Sequence, residues 1–279
     1  MSKYYLGRVV VNGFSWTGEP LSEITPDQKK EIQSSISFVP YFYTCRQIRN
    51  ITIESGTDFI TYYNSLAKTQ RIFNEREMIE LLTSANKLLI SYLSFLKSFF
   101  DITSKQLAIK KPGLLKDFQR KNSTMYDSFF GYRFLSRLRN YVIHVAMPLV
   151  QVSSYSTGVS FSCSKNELLK YDGWSTIRSE ISQLPESFSV VPFVSESNHV
   201  IDQLYLFALT AILDDVSEGS LNLRKALESY NETMFAIGEE KDRMVVWSKL
   251  PLHLIKEYLD EISRSEYIAI LHERGTQLG

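Results

Sequence analysis

The sequence lacks the features that mark several large classes of protein. It has two cysteines, Cys45 and Cys163, which lie far apart and outside any Cys-x-x-Cys pair. A disulfide framework or a cysteine-based zinc site is therefore not expected, and a reducing compartment is the natural setting. The 31 Lys and Arg residues are balanced by 31 Asp and Glu residues, so bulk attraction to DNA or anionic membranes is not expected either. A local basic groove is compatible with that balance.

Long apolar runs are also missing. The most apolar stretch, residues 204–213, is about half as long as the roughly 20 residues needed to span a bilayer. The first eight residues lack the apolar core of a secretory signal. We find no Walker loop, no G-x-G-x-x-G and no G-x-S-x-G motif. These absences predict a cytoplasmic protein without membrane contacts.

The composition is that of a globular chain, with 279 residues of which 44% are apolar, enough to bury a core. There is no internal repeat and no low-complexity linker. We predict three regions: a mixed α/β N-terminal segment (1–72), a helical domain (73–240) and a C-terminal helical segment (241–279).

The N-terminal segment has short β-branched and aromatic runs at 4–11, 36–43 and 48–53. Their composition and polar boundaries predict strands of a small sheet. Thr25 followed by Pro26 predicts the start of a helix, because Thr is a good N-cap and Pro is favoured at the first helical position.

A long helix is predicted after Asn74. Its apolar positions alternate spacings of four and three residues, as on one helix face: Met78, Leu82, Ala85, Leu89, Tyr92, Leu96 and Phe99. A second apolar flank lies beside this face, so the helix must be covered on more than one side. It is either a central bundle helix or a helix with one flank in a subunit interface.

The remaining pattern predicts mostly helices. We expect helices at 114–122 and 124–146, separated at Ser123, and a β-hairpin that pairs 150–152 with 159–163. Further helices are predicted at 174–183, 199–216, 221–237 and 251–272, with a loop and a short strand over 184–198.

The predicted helix over 133–145 has two distinct faces. Its apolar stripe consists of Phe134, Leu135, Leu138, Val142 and Val145. A second stripe, with spacings of four, three and four, consists of Arg133, Arg137, Asn140 and His144, and Tyr141 borders it. This stripe is either a solvated polar face or an anion-binding surface with a titratable group at its end. Asn is a poor helix former in mid-helix, which favours the second interpretation.

The segment from Arg139 through Asn140 to His144 resembles the R-x(4–6)-H motif of HEPN domains, including the polar residue after the Arg. Residues 132–141 look like the motif helix of bacterial HEPN-type proteins, and residues 86–93 are similar to the first helix of that family. The resemblance covers residues 74–148. It implies a mainly α fold, a HEPN-like antiparallel helical bundle over 73–240, with the mixed N-terminal segment and the short hairpin as additions.

The resemblance also implies a function. Many HEPN proteins are homodimeric, metal-independent endoribonucleases that act as toxins or anti-phage defence effectors, and others are inactive binding modules. We therefore expect RNA, a second copy of the chain, and an antitoxin or defence-system protein as partners, and no metal or cofactor. Ala146 stands where one toxin subgroup carries Tyr, so the antitoxin of that subgroup is not implied.

The expected catalytic residues are Arg139, Asn140 and His144, and Arg133, Arg137 and Tyr141 are expected to bind substrate. An imidazole changes charge near neutral pH and suits acid–base work, whereas a guanidinium suits contact with phosphate. Arg139 lies about 140° from His144 around an ideal helix. Helix geometry therefore favours Arg137 as the catalytic arginine, and the resemblance favours Arg139.

Two other functions are compatible with the sequence. One is a catalytically inactive interaction module in a defence or signalling complex. The other is a small-molecule sensor in which Phe129 and Phe130 line a pocket, although packing is the commoner use of aromatic residues. The other histidines, His199, His253 and His272, are expected to have structural or solvent-exposed roles, because a lone His outside a constellation of ligands rarely marks a site.

Overall fold

The computed structural model describes residues 3–69, 71–155, 158–228, 230, 234–241 and 244–262. Helix makes up 67% of the structure and the sheets are small and antiparallel, which confirms the mainly α prediction. The chain forms two compact units. The first unit combines Met1–Tyr43 with Leu209–Gly279, and the second unit is Thr44–Ala208.

The described residues form α-helices, β-strands and two short 3₁₀ turns. The helices are α1 (Pro26–Ser35), α2 (Val39–Leu66), α3 (Glu75–Lys110), α4 (Leu115–Ser128), α5 (Phe130–His144), α6 (Lys165–Leu169), α7 (Arg178–Ser182), α8 (Val191–Thr210), α9 (Leu213–Leu227) and α10 (Leu252–Ile262). The strands are β1 (Tyr4–Asn12), β2 (Ser15–Ile24), β3 (Gln151–Tyr155), β4 (Gly158–Ser164), β5 (Ser187–Phe188), β6 (Phe235–Lys241) and β7 (Met244–Lys249). Short 3₁₀ turns lie at Pro112–Leu114 and Asp172–Ile177.

The first unit is organised around a four-stranded antiparallel sheet in the order β2-β1-β6-β7. The predicted strand at 4–11 is confirmed as β1, which pairs with β6 so that Tyr4 lies opposite Glu239. The sheet therefore joins residues 4–24 to residues 235–249, and for this reason the first unit combines two segments that the predicted division at 72/73 and 240/241 keeps apart. A helix over 221–237 was expected, but α9 ends at Leu227 and β6 begins at Phe235.

Helix α1 begins where the sequence predicts it. Gln28 N donates to Thr25 Oγ1 at 3.2 Å, and Thr25 N donates to Gln28 Oε1 at 2.8 Å. These two bonds form a capping box, which satisfies backbone N–H groups that have no partner within the helix.

The predicted strands at 36–43 and 48–53 are wrong, since α2 begins at Val39 and runs through the second of them. Cys45, Ile48, Thr52 and Phe59 are buried along it. Their spacing is helical, so one buried face outweighed the β propensity of the branched residues.

The long helix α3 starts after Asn74, whose Oδ1 accepts from Glu77 N at 3.0 Å. Its predicted apolar stripe is buried at Ala85, Leu89, Tyr92, Leu96 and Phe99. The helix continues beyond the predicted stripe to Lys110.

The break between α4 and α5 lies at Phe129, not at Ser123 as predicted. Ser123 is inside α4, where its hydroxyl donates to Gln119 O at 3.1 Å. Phe129 has extended backbone angles, φ −116° and ψ 105°. The guanidinium of Arg133 donates to the carbonyls of Tyr126 and Asp127, so the end of α4 is closed by a side chain from α5.

The elements after α5 match the prediction in part. The hairpin is confirmed as β3 and β4, with Val152 opposite Phe161. The short strand predicted within 184–198 is confirmed as β5, but the predicted loop ends early because α8 begins at Val191 and runs to Thr210. The predicted helix at 251–272 is α10 as far as Ile262, and its remainder lies outside the described residues. None of the described helices has the length and apolar character needed to cross a membrane.

Candidate functional site

A cavity of about 290 Å3 lies between α3, α4 and α5 of the second unit. Most of its polar lining comes from the helix that carries the R-x(4–6)-H pattern. The lining residues are Leu93, Leu96, Lys97, Phe100, Asn122, Tyr126, Tyr132, Ser136, Arg137, Arg139 and Asn140. Three of the six predicted site residues therefore share one cavity.

Both candidate arginines reach this cavity. With about 100° per residue, Arg137 and Arg139 lie roughly 160° apart around α5, and Asn140 lies between them. The two side chains are long enough to line the same cavity from opposite flanks of Asn140. The cavity is therefore lined by the arginine that helix geometry favours and by the arginine that the family resemblance favours.

The cationic groups of the cavity have few partners. Arg137 Nε donates to Tyr126 Oη at 2.9 Å, and in the described part of the chain its other N–H groups have no partner. Arg139 Nε is buried without a hydrogen-bond partner. Lys97 is paired with Asp101, and no carboxylate is among the residues that line the cavity. Two guanidinium groups without a carboxylate make an anion the expected occupant.

A hydrogen bond between Tyr132 and Asn122 fixes the side of the cavity that α4 forms. Tyr132 Oη donates to Asn122 Oδ1 at 2.7 Å. Burial, and to a smaller extent the nearby Tyr126, raises the pKa of Tyr132 above its usual value, so its hydroxyl keeps its proton and acts as the donor. Because the Asn122 oxygen is engaged, its amide nitrogen is left as a donor toward a ligand.

Arg133 has a structural role. Its guanidinium donates to two backbone carbonyls of α4 and pairs with Glu180 at 2.5 Å. The side chain is 13% exposed, so its donors are already used inside the protein. Arg133 does not line the cavity.

Tyr141 also lies outside the lining of the cavity. It is 3% exposed and stacks on Trp174 with ring centroids 5.8 Å apart. Burial, with a contribution from the nearby Glu167 carboxylate, raises its pKa. Tyr141 faces the core because it lies about 180° around α5 from Tyr132, which lines the cavity.

His144 is the last residue of α5. It is exposed and is not among the lining residues of the cavity. Four residues beyond Asn140, it lies about 6 Å further along the helix axis and about 40° around it. Exposed apolar residues are its neighbours in sequence, and we call these the terminal patch: Ile143, Val145, Met147 and Val150.

Asn86 of α3 holds the segment that follows His144. Its Nδ2 donates to Leu149 O at 2.9 Å, and Leu149 N donates to its Oδ1 at 3.1 Å. Asn86 is 5% exposed, so these bonds are shielded from water. In the sequence Asn86 stands among the apolar positions of α3, and an amide in such a place indicates a buried hydrogen-bonding role.

Most of the lining residues that sequence reasoning missed come from other helices. Lys97 and Phe100 are on α3, and Asn122 and Tyr126 are on α4. None belongs to a motif, so only the packing of three helices brings them to the arginines.

Phe129 and Phe130 do not line this cavity. Phe130 packs edge-on against Phe193 at 5.3 Å, and Phe129 packs against His199 at 6.0 Å. Both rings connect α5 to α8, so they serve packing and not the pocket that a sensor function would require.

The comparisons with family models, with curated proteins and with solved structures found no match for this chain. Among the described residues, no group of three His, Cys, Asp or Glu side chains is placed to hold a metal ion.

Proposed function

We propose that this protein is an endoribonuclease of the HEPN type that cleaves RNA with side chains alone, and that it acts as a toxin or defence effector. One observation carries the proposal. Arg137, Arg139 and Asn140 line one cavity without a carboxylate, on the same helix that ends at the exposed His144.

The reaction needs a base and a stabiliser of charge. In the proposed mechanism His144 accepts the proton of a ribose 2′-OH, and O2′ then forms a bond to the adjacent phosphorus. The bond from phosphorus to O5′ breaks, and the leaving oxygen takes up a proton. The products are a 2′,3′-cyclic phosphate and a 5′-hydroxyl. Arg139 stabilises the charge that develops on the phosphate oxygens, and Asn140 binds or orients the substrate.

The proposal includes a homodimer, because within one chain the general base His144 lies outside the cavity that Arg137 and Arg139 line. Five residues place His144 about 7.5 Å along the axis beyond Arg139, and the terminal patch leaves apolar side chains exposed beside it. Contact between two terminal patches would bury this surface and bring two His144 side chains close to each other. A closed two-fold contact of this kind is the commonest form of oligomer.

The first test is cleavage of RNA by the purified chain in the presence of EDTA. We expect fragments with cyclic-phosphate ends, no loss of rate in EDTA, and loss of cleavage in His144→Ala. His253→Ala is the matched control, because His253 is also exposed but lies on α10 in the first unit. Cleavage that requires added Mg²⁺, or that persists in His144→Ala, would refute the mechanism.

The second test is the oligomeric state. Light scattering coupled to size-exclusion chromatography should give a dimer at micromolar concentration, and Ile143→Asp should give a monomer. Leu221→Asp changes an apolar side chain of similar exposure, 53% against 54% for Ile143, on α9 and should leave the dimer intact. A monomeric parent protein would exclude the proposed assembly.

The alternative function is an inactive interaction module built on the same bundle. The observation that favours it is that His144 does not line the arginine cavity. A parent protein that forms the dimer but leaves RNA intact in the first test would make this the better proposal.

A further inference from the structure

We infer that the cavity between α3, α4 and α5 is a subsite for one nucleotide, which takes the phosphate on its arginines and the base against its aromatic wall. The placement of that nucleotide as a unit of an RNA substrate rests on the proposed function. The ability to bind a nucleoside phosphate does not, because it follows from the cavity alone.

The phosphate end is formed by Arg137 and Arg139. Arg137 uses one of its five N–H groups on Tyr126, and Arg139 Nε is buried without a partner. A guanidinium N–H that is buried without a hydrogen bond is costly, and no carboxylate among the lining residues neutralises Arg139. A phosphate in the cavity would supply the missing negative charge. Since the two arginines approach from opposite flanks of Asn140, one phosphate can accept from both.

The base end is formed by aromatic rings and amides. Phe100, Tyr126 and Tyr132 line the cavity together with Asn122 and Asn140. Phe100 is itself supported by Phe118, with stacked rings 5.7 Å apart and an interplanar angle of 15°. Aromatic rings offer stacking surfaces to any base, and an amide can donate to one base edge and accept from another.

The size of the cavity limits the ligand. A volume of about 290 Å3 lies at the lower end of the roughly 300–1,000 Å3 of small-molecule sites. This is room for one small ligand and not for a helical duplex. The expected substrate is therefore single-stranded RNA with one base turned into the cavity, as is usual for recognition of unpaired bases.

Isothermal titration of the full chain tests the subsite. The probes are AMP and UMP, with adenosine, ribose 5-phosphate and inorganic phosphate as partial ligands. At least one nucleotide should bind about tenfold or more tightly than adenosine and than ribose 5-phosphate, since stacking and phosphate contacts each contribute about a factor of ten or more. Nucleotide affinity equal to that of inorganic phosphate, or no binding at all, would overturn the inference.

Variants locate the ligand. Arg139→Ala and Tyr126→Leu should each weaken nucleotide binding by about tenfold or more. The control Arg120→Ala changes an exposed arginine of α4 that pairs with Asp117 and should bind like the parent. Unchanged binding in both cavity variants, with folding confirmed by circular dichroism, would place the ligand elsewhere and refute the subsite.

Two further measurements separate this inference from the proposed function. His144→Ala should bind AMP like the parent, because His144 does not line the cavity. A short single-stranded RNA should displace AMP, and failure to do so would overturn the placement of the nucleotide within RNA. Nucleotide binding without RNA cleavage would refute only the ribonuclease, and cleavage without nucleotide binding would refute only the subsite.

Discussion

Asn86 and Leu149 are joined by two hydrogen bonds, of 2.9 and 3.1 Å, across 63 residues of sequence. The side-chain amide of Asn86 presents one donor and one acceptor to the backbone of Leu149, as a neighbouring strand would. This contact fixes the chain a few residues after His144, at the end of the helix that carries the candidate site. It makes a buried amide of α3 part of the support of the site.

Replacement of Asn86 tests this support. Asn86→Ala removes both bonds and leaves a buried N–H and a buried carbonyl without partners, so we expect the free energy of unfolding to fall by about 2–4 kcal/mol. The Leu149 amide should also exchange faster with solvent deuterium. Asn166→Ala, at an exposed position of α6, is the control and should change the unfolding free energy by less than about 0.5 kcal/mol. Urea denaturation measures the free energy of unfolding of both variants. Equal losses in the two would contradict the role of Asn86 in holding Leu149.

Gly131 allows the close approach of α5 and α8. Its N–H donates to Glu196 Oε2 at 2.8 Å, and a Cβ would lie 2.8 Å from Phe193 Cα and would overlap the Glu196 carboxylate. We expect Gly131→Ala to lower the free energy of unfolding by about 1–3 kcal/mol through overpacking. Gly113→Ala is the control, because a Cβ there meets nothing within 4 Å. Thermal unfolding that is the same in both variants would show that α8 adjusts without cost.

The two cavity arginines should differ in kinetics. Arg139→Ala should lower the rate of RNA cleavage by about 10²–10³-fold, as loss of a transition-state donor does. Arg137→Ala should mainly raise KM and reduce the salt dependence of RNA binding, as loss of a phosphate contact does. Asn140→Ala should give an intermediate loss.

If Arg137→Ala lowers the rate of cleavage and Arg139→Ala mainly raises KM, the catalytic role belongs to Arg137. The control Arg120→Ala should cleave like the parent. If all the cavity variants cleave like the parent, the proposed active site is refuted and the interaction module becomes the better function.

The buried thiol of Cys163 predicts a loss of stability at alkaline pH. Burial raises its pKa from 9.0 to about 12, so above pH 9 the unfolded chain releases this proton while the folded chain retains it. The unfolded state then binds fewer protons, and stability falls by about 1.4 kcal/mol per pH unit between pH 9 and about 12. This contribution is fully present below pH 9.

Urea denaturation of the parent and of Cys163→Ala at pH 7 and pH 10 isolates the thiol. The difference between their unfolding free energies should shrink by about 1.4 kcal/mol at the higher pH. A constant difference would show that the thiol ionises equally in both states. In the folded protein at pH 8, Cys163 should also resist a thiol reagent, because it is fully buried.

Local signals in the sequence determined several parts of this protein. The N-cap at Thr25, the long helix after Asn74 with its buried stripe, and the hairpin of β3 and β4 were all predicted, because capping and periodicity depend on residues a few positions apart. The polar face of α5 also placed Arg137 and Asn140 on one side of a helix.

Only the tertiary structure decided the rest. The pairing of Tyr4 with Glu239 depends on loop closure over most of the chain, which no local pattern records. The position of the break at Phe129 depends on Arg133 reaching back to α4, and the burial of Tyr141 depends on Trp174. The cavity exists because α3 and α4 bring Lys97, Asn122 and Tyr126 to the arginines of α5. A sequence motif names residues on one helix, whereas a binding cavity is formed by the packing of several.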